Sequence, residues 1–222
     1  MRKYKSPSNN RQGFQKPKLI TEVIIVHIHK QNSTFNFFYQ TRRLMLTIIS
    51  GTNRSQSMTL KVAEHTIQIA QSMNKEAKLL DLSTFSNDFI GPEHYSADAM
   101  PTWLKDLQAE LMIPATHFLF ISPEYNGSIP GYLKLFIDAI SVHQLKETFV
   151  DKYAGLIGVS SGRAGNLRGM DHLTSILNHV NCNVVPNHLP ISGIGSIIDK
   201  DGQMQDNTKT AIEDKLKALM AY

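Results

Sequence analysis

The sequence predicts an α/β fold, a doubly wound five-stranded parallel sheet with helices on both faces. Three observations lead there. Short apolar runs such as FLFI at 118–121 show no polar alternation, which is what strands buried on both faces require. Between them lie longer segments whose apolar residues recur at spacings of three and four, the helical period. The composition, 41% hydrophobic and 19% charged over 222 residues, suits one globular domain or one domain with an appendage.

The elements follow in order from residue 45. Residues 45–50 form a first strand that ends in a turn, and Leu60, Ala63, Ile67 and Ala70 mark one face of a helix. A second strand runs over 77–82. Trp103, Leu107 and Leu111 give the next helical face, opened near Pro101 and closed at Pro114. The third strand is 118–121, followed by a helix that presents Leu133, Phe136, Ile137 and Ile140. The fourth strand spans 154–159, and Met170, Leu173, Ile176, Leu177 and Val180 share the helix after it. A short fifth strand at 183–185 precedes a closing helix marked by Ile212, Leu216 and Leu219. There is no internal repeat.

Charge divides the chain. Residues 1–44 carry nine Lys and Arg against the single acid Glu22, a net of +8. The remaining residues hold 14 bases and 18 acids, a net of −4, so the basic isoelectric point belongs to the front segment. Residues 1–18 are polar and rich in Pro, Asn and Gln, with too little apolar surface to offset their ordering entropy. The expectation for 1–44 is a disordered basic segment, or an over-long gene start before a working Met45, ahead of a domain at 45–222. An edge strand at 19–29 and a docked aromatic cluster at 35–39 are the competing expectations. The mildly acidic body argues against nucleic acid as a partner. No apolar run approaches the ~18 residues of a membrane span. The lone Cys182 excludes an intrachain disulfide, CxxC chemistry and a cysteine-built zinc site, and it fits a reducing, cytoplasmic setting.

In a doubly wound sheet, ligands sit beyond the carboxyl ends of the strands, so the loops after strands one, three and four carry the functional signal. Loop one, residues 50–57, reads SGTNRSQS and feeds a helix N-terminus, where free N–H groups and the helix dipole favour an anion. Thr52, Ser55 and Ser57 add hydroxyls, and the Arg54 guanidinium can grip a phosphate in bidentate fashion. The chain lacks both GK[ST] and GxGxxG, which leaves a mononucleotide phosphate as the ligand such a loop suits. The plainer reading is that Ser55 or Ser57 caps the helix. Loop two, residues 123–131, reads PEYNGSIPG: two prolines and two glycines impose an unusual backbone path, and Tyr125 offers a ring to stack on. Its plainer reading is a rigid turn with Pro130 starting a helix. Loop three, residues 160–168, reads SSGRAGNLR; its glycines permit close backbone approach, and Arg163 and Arg168 bring positive charge.

As a set, the three loops resemble those of the NADPH-dependent FMN reductase-like proteins, which have the flavodoxin-like fold and include quinone, azo and chromate reductases. The G-S-x-R-x-x-S phosphate loop of that family falls on residues 51–57, with Thr52 in the first hydroxyl position. Its P-E-Y-N-x-S-x-P-x-x-L-K segment falls on Pro123 through Lys134 without a gap, and its Gly-containing loop on residues 160–165. Where the family often reads L-K-N-A-x-D-W, this chain reads LKLFIDA, so helix-edge and subunit contacts depart from the pattern. The resemblance spans residues 45–222. It implies FMN, with the phosphate on Thr52, Arg54 and Ser57 and with Ser55 in the same loop. The ring would lie against Pro123, Glu124, Tyr125, Asn126 and Gly127, with Ser160, Gly162 and Arg163 at its other edge. It further implies NADPH or NADH as co-substrate, a small-molecule electron acceptor, and a homodimer or homotetramer. Hydride would pass from nicotinamide to flavin and electrons then to quinone, azo compound, metal oxyanion or free flavin. The cofactor carries that chemistry, so no catalytic acid, base or nucleophile is expected of the protein.

Two other classes compete. Residues 158–162 read GVSSG and match G-x-S-x-G, which would make Ser160 a hydrolase nucleophile with Asp171 or Asp199 as acid and His172, His179 or His188 as base. Asp171, His172 and His179 fall on the helix just after that elbow, whereas a triad draws its members from separate loops. A non-enzymatic flavodoxin-like electron carrier would use the same crevice. The nine histidines include His27 with His29 and His172 with His179, without HExxH or a Cys–His spacing, and no metal site is expected.

Overall fold

The computed structural model describes residues 44–222. The expectations for the front segment fall on residues outside these. Among the described residues, six strands make one parallel sheet: β1 (Leu46–Ser50), β2 (Ala77–Asp81), β3 (His117–Pro123), β4 (Tyr153–Val159), β5 (Asn183–Val184) and β6 (Leu189–Ile191). The order is β2-β1-β3-β4-β5, with β6 also paired to β4. β1 and β4 are buried almost throughout, as their unalternating apolar runs require.

The helices are α1 (Met58–Ser72), α2 (Thr102–Leu107), α3 (Gly131–Ser141), α4 (Leu145–Phe149), α5 (Leu167–His179), α6 (Ile194–Ile197) and α7 (Asp206–Leu219). A single π-helical turn, Gln108–Met112, prolongs α2. Two cores result. Val62 and Ala63 of α1 and Ile212 and Leu216 of α7 pack on one face of the sheet, against Leu46, Ile48 and Ile157. Leu104 of α2, Phe136 of α3, Phe149 of α4 and Leu173 of α5 pack on the other, against Ile49, Phe118 and Phe120. Phe118, Phe120, Phe136 and Phe149 are fully buried, and cutting any of them to Ala would cost ~3–5 kcal/mol.

The flavodoxin-like expectation for the fold holds, with three differences in detail. The fifth strand position is split. β5 pairs only with Tyr153 and Ala154, and β6 resumes beside Ile157, Gly158 and Val159. Pro186 and the left-handed Asn187 (φ 61°) break the run between them. On α1 the inward face is Thr59, Val62, Ala63, Thr66 and Ala70, while Leu60 and Ile67 are half-buried. On α2 and its π turn Leu104, Gln108 and Met112 are buried, one position on from the expected Trp103, Leu107 and Leu111, which pack at the margin. Gln108 is tolerated there because its Nε2 donates to Ile140 O, His143 O and Thr148 Oγ1 at 2.6–2.8 Å.

Adjacent strands β1 and β3 lead into helices on opposite faces, α1 and α3. Such a switch point opens a crevice at the carboxyl ends of the strands.

Candidate functional site

Loop one begins with a close approach. The Gly51 N–H donates to Ile121 O at 2.8 Å, and a Cβ at Gly51 would sit 3.0 Å from that oxygen. The buried Thr52 hydroxyl accepts from the Arg54 N–H at 3.3 Å and shares a 3.0 Å hydrogen bond with the Tyr125 hydroxyl. Gln56, at φ 51°, turns the chain into α1, and Ser57 Oγ caps the helix by accepting from the Leu60 N–H at 3.0 Å. The capping role read from sequence therefore belongs to Ser57. The N–H groups of Met58 and Thr59 have no acceptor within the helix. The first turn contains no acid, so the positive end of this 15-residue helix is unopposed by its own residues. The exposed Arg54 adds a full charge to it.

Loop two is fixed by its entry and by a turn. The Glu124 N–H donates to Val159 O at 2.8 Å. Tyr125 and Ser128 then exchange both backbone hydrogen bonds, at 2.9 and 3.0 Å, around Asn126 (φ 51°) and Gly127 (φ 78°). Two successive positive φ values make this a type I′ turn, for which Asn-Gly is the preferred pair. The N–H groups of Asn126 and Gly127 take no part in that pairing. The guanidinium of Arg168 lies over the turn: a Cβ on Gly127 would meet its Nη2 at 2.9 Å, and the same atom is 3.9 Å from Glu124 Oε1.

Loop three is tied down by β6 and the start of α6. The Ser160 N–H donates to Ile191 O, Gly193 N–H to Gly162 O and Ser192 Oγ to Arg163 O, all within 3.0 Å. Ser160 Oγ donates to Gly162 O at 3.0 Å and accepts from the Gly165 N–H at 2.9 Å. Its hydroxyl is thus engaged within its own loop. Of the histidines weighed as its base, His172 Nδ1 bonds Ser128 Oγ and His188 Nε2 bonds Thr174 Oγ1. Burial and the Lys215 ammonium push the His188 pKa down. The hydrolase arrangement is not assembled.

Two adjoining depressions, of about 360 and 320 Å³, run along these loops and share Glu124, Ser160 and Ser161. The first holds Thr52, Arg54, Ser57, Pro123 and Tyr125; the second holds Asn126, Gly127, Gly162 and Arg163. Eleven of the twelve residues singled out from sequence therefore line one cleft. Ser55 lies on neither wall. Gln56, Met58 and Thr59 of loop one and α1, together with Ser161 and Ile194, were missed. The first three were legible in principle, since any ligand at a helix N-terminus meets the first turn itself. Asn166 was missed too. It is completely buried, stands at φ 60° before α5, and its Nδ2 reaches the carbonyl oxygens of Ser122 and Pro123 at 3.0 Å each.

Residues 44–195 match the family model for NADPH-dependent FMN reductases, which is more than half of the chain. The chain belongs to that family. It is an oxidoreductase, with FMN and a nicotinamide nucleotide as its cofactors. A quinone reductase of Pseudomonas putida is 26% identical over 173 residues, covering 76% of this chain and 88% of that protein. An NAD(P)H-dependent FMN reductase of Pseudomonas aeruginosa is 35% identical over 112 residues, 49% of this chain and 59% of the relative. Among solved structures, the flavoenzyme NAD(P)H:(acceptor) oxidoreductase FerB of Paracoccus denitrificans superposes with a TM-score of 0.63 at 22% identity, covering 81% of this chain and 96% of that one, a likeness of fold.

The cleft fits the cofactor chemically. One end presents donors, the first-turn N–H groups and Arg54, with no acid in that turn, which is the set a phosphate dianion needs. The other end presents the outward N–H groups of a type I′ turn, suited to the polar edge of a planar heterocycle.

Proposed function

We propose that the enzyme seats FMN along this cleft and reduces a small-molecule acceptor, a quinone first among the candidates, at the expense of NADPH or NADH. The observation that carries the reading is the continuity of the cleft, from the α1 N-terminus to the Asn126–Gly127 turn. Arg54, Thr52 and the first-turn amides hold the phosphate. Tyr125 joins the two ends, since its hydroxyl meets Thr52 while its backbone opens the turn. Asn126 and Gly127 offer N–H groups to the ring, and Gly162 and Arg163 border its far edge. When bound, FMN supplies the chemistry, taking two electrons from the nicotinamide and handing them to the acceptor. The protein's share is placement, hydrogen bonding and exclusion of competing reactions.

The quinone preference draws support from the Pseudomonas putida relative, whose match extends over most of both chains. The test is the absorption spectrum of the purified protein, followed by anaerobic bleaching with NADPH and recovery on adding a quinone. A flavin spectrum that bleaches and recovers is the expected result. A colourless protein that takes up no added FMN overturns the reading, and bleaching without recovery overturns the quinone alone.

A further inference from the structure

Asn166 is wholly buried beside the cleft and ties the start of α5 to the end of β3, where loop two begins. Its backbone opens α5: its carbonyl accepts from the Met170 N–H at 3.0 Å, and its left-handed φ of 60° directs the chain into the helix. Its amide points the other way, across the sheet. Nδ2 donates to Ser122 O and Pro123 O, both at 3.0 Å, 44 and 43 residues earlier in the chain. The peptide between Pro123 and Glu124 is consequently held from both sides, its C=O by Asn166 and its N–H by Val159 O at 2.8 Å. That peptide is the last fixed point before the Tyr125–Ser128 turn. The neighbours leave room for this one side chain: a Cβ on Gly169 would lie 2.0 Å from Asn166 Oδ1, and one on Gly158 would lie 3.1 Å from Asn166 Cβ.

We infer that Asn166 is a positioning residue for the ring end of the cleft, a strut that sets the Asn126–Gly127 turn against loop three. The inference rests on the cleft's being the flavin site, and the phosphate end gives it no support. Without the amide, Ser122 O and Pro123 O each lose a buried donor, and the 123–124 peptide keeps only the 3.2 Å bond from Ser122 Oγ on its C=O and Val159 O on its N–H. The turn then moves relative to Gly162 and Arg163, while loop one, anchored by Gly51 and by the Ser57 cap, stays in place.

The experiment uses Asn166→Gly, which keeps the left-handed backbone and removes only the strut. In the full-length apoprotein, amide hydrogen exchange at Glu124, Tyr125 and Ser128 should quicken tenfold or more, with Gly51 and the β1 amides unchanged. In the FMN-loaded protein, the limiting rate of anaerobic reduction at saturating NADPH should fall about tenfold. FMN and riboflavin should weaken by the same factor, because the change lies at the ring they share. Asn166→Asp gives a second readout. Protonated, its carboxyl can donate one of the lost hydrogen bonds; ionised, it cannot. Its reduction rate should therefore gain an ionisation absent from the parent protein, faster on the acid side. Unchanged exchange at 124–128, or a parental reduction rate and pH profile in a folded variant, would overturn the inference. Should Asn166→Gly fail to fold, the Asn166→Asp pH profile decides alone. Failure of the parent protein to take up FMN would instead count against the flavin reading, and the apoprotein exchange would still decide whether the strut exists.

Discussion

The hydroxyls of Thr52 and Tyr125 meet at 3.0 Å, across 73 residues of chain, and this bond joins the anion end of the cleft to the ring end. Thr52 is fully buried and Tyr125 about a third exposed, so the bond sits at the edge of solvent. A neutral hydrogen bond there contributes ~0.5–1.5 kcal/mol. Tyr125→Phe keeps the ring and removes the bond. FMN affinity should fall by roughly two- to tenfold, measured by flavin fluorescence quenching, with the melting temperature little changed. Unaltered affinity would show that the two ends are set independently.

Arg54 is the only full positive charge in loop one, so Arg54→Ala should weaken FMN more than riboflavin, which has no phosphate. A charge-assisted contact contributes ~1.5–3 kcal/mol, or about 10- to 150-fold in affinity. Equal weakening of both ligands in parallel titrations would remove Arg54 from the phosphate site.

Gly158 lies where β4 passes under loop three. A Cβ there would come within 2.1 Å of Gly165 O, a backbone atom, and 2.9 Å of Met170 Cε. Gly158→Ala should cost ~1–3 kcal/mol or more by overpacking. At about 2–4 °C per kcal/mol the melting temperature should drop visibly in a thermal scan. Gly91→Ala, where a Cβ meets nothing within 4 Å, is the matched control and should leave it unchanged.

Lys215 is buried on the α7 face, its Nζ donating to Pro186 O at 3.0 Å and Asn187 O at 2.9 Å, and burial pushes its pKa down to about 8. The unfolded chain therefore holds this proton more tightly, and stability contributed through Lys215 rises with pH between about 8 and the ordinary lysine value of 10.5. Below 8 the burial penalty is present in full; above 10.5 it is gone. Denaturant melts of the parent protein and Lys215→Met should show the difference moving in the parent's favour across that window. A flat difference would mean that the ammonium is not held out of water.

Strands β1, β3 and β4 were legible because two-sided burial leaves mostly apolar runs without polar alternation, Thr47 and Ser122 being buried exceptions, and local composition records that directly. The inward face of α1 was not legible, since Thr66 hides its hydroxyl in a 2.7 Å bond to Val62 O and so passes as core. Gln108 escaped for the same reason, with its amide satisfied by three partners. In the cleft, the Asn126–Gly127 pair carried a local turn signal and was recognised as part of an unusual path. Asn166 carried none: its partners lie more than 40 residues away, and no periodicity or motif points to them.

The split fifth strand position has a consequence for how copies of this protein behave when crowded. The outermost strand of an open sheet is a template for further strands, because its outer N–H and C=O groups are unpaired. Among the described residues that margin is two residues of β5 and three of β6, separated by Pro186 and a left-handed Asn187. Pro190, at the centre of β6, has no N–H to offer at all. An incoming chain finds no continuous ladder on this side, so the interruption acts as a built-in guard against edge-to-edge aggregation, at the cost of only a few backbone pairings.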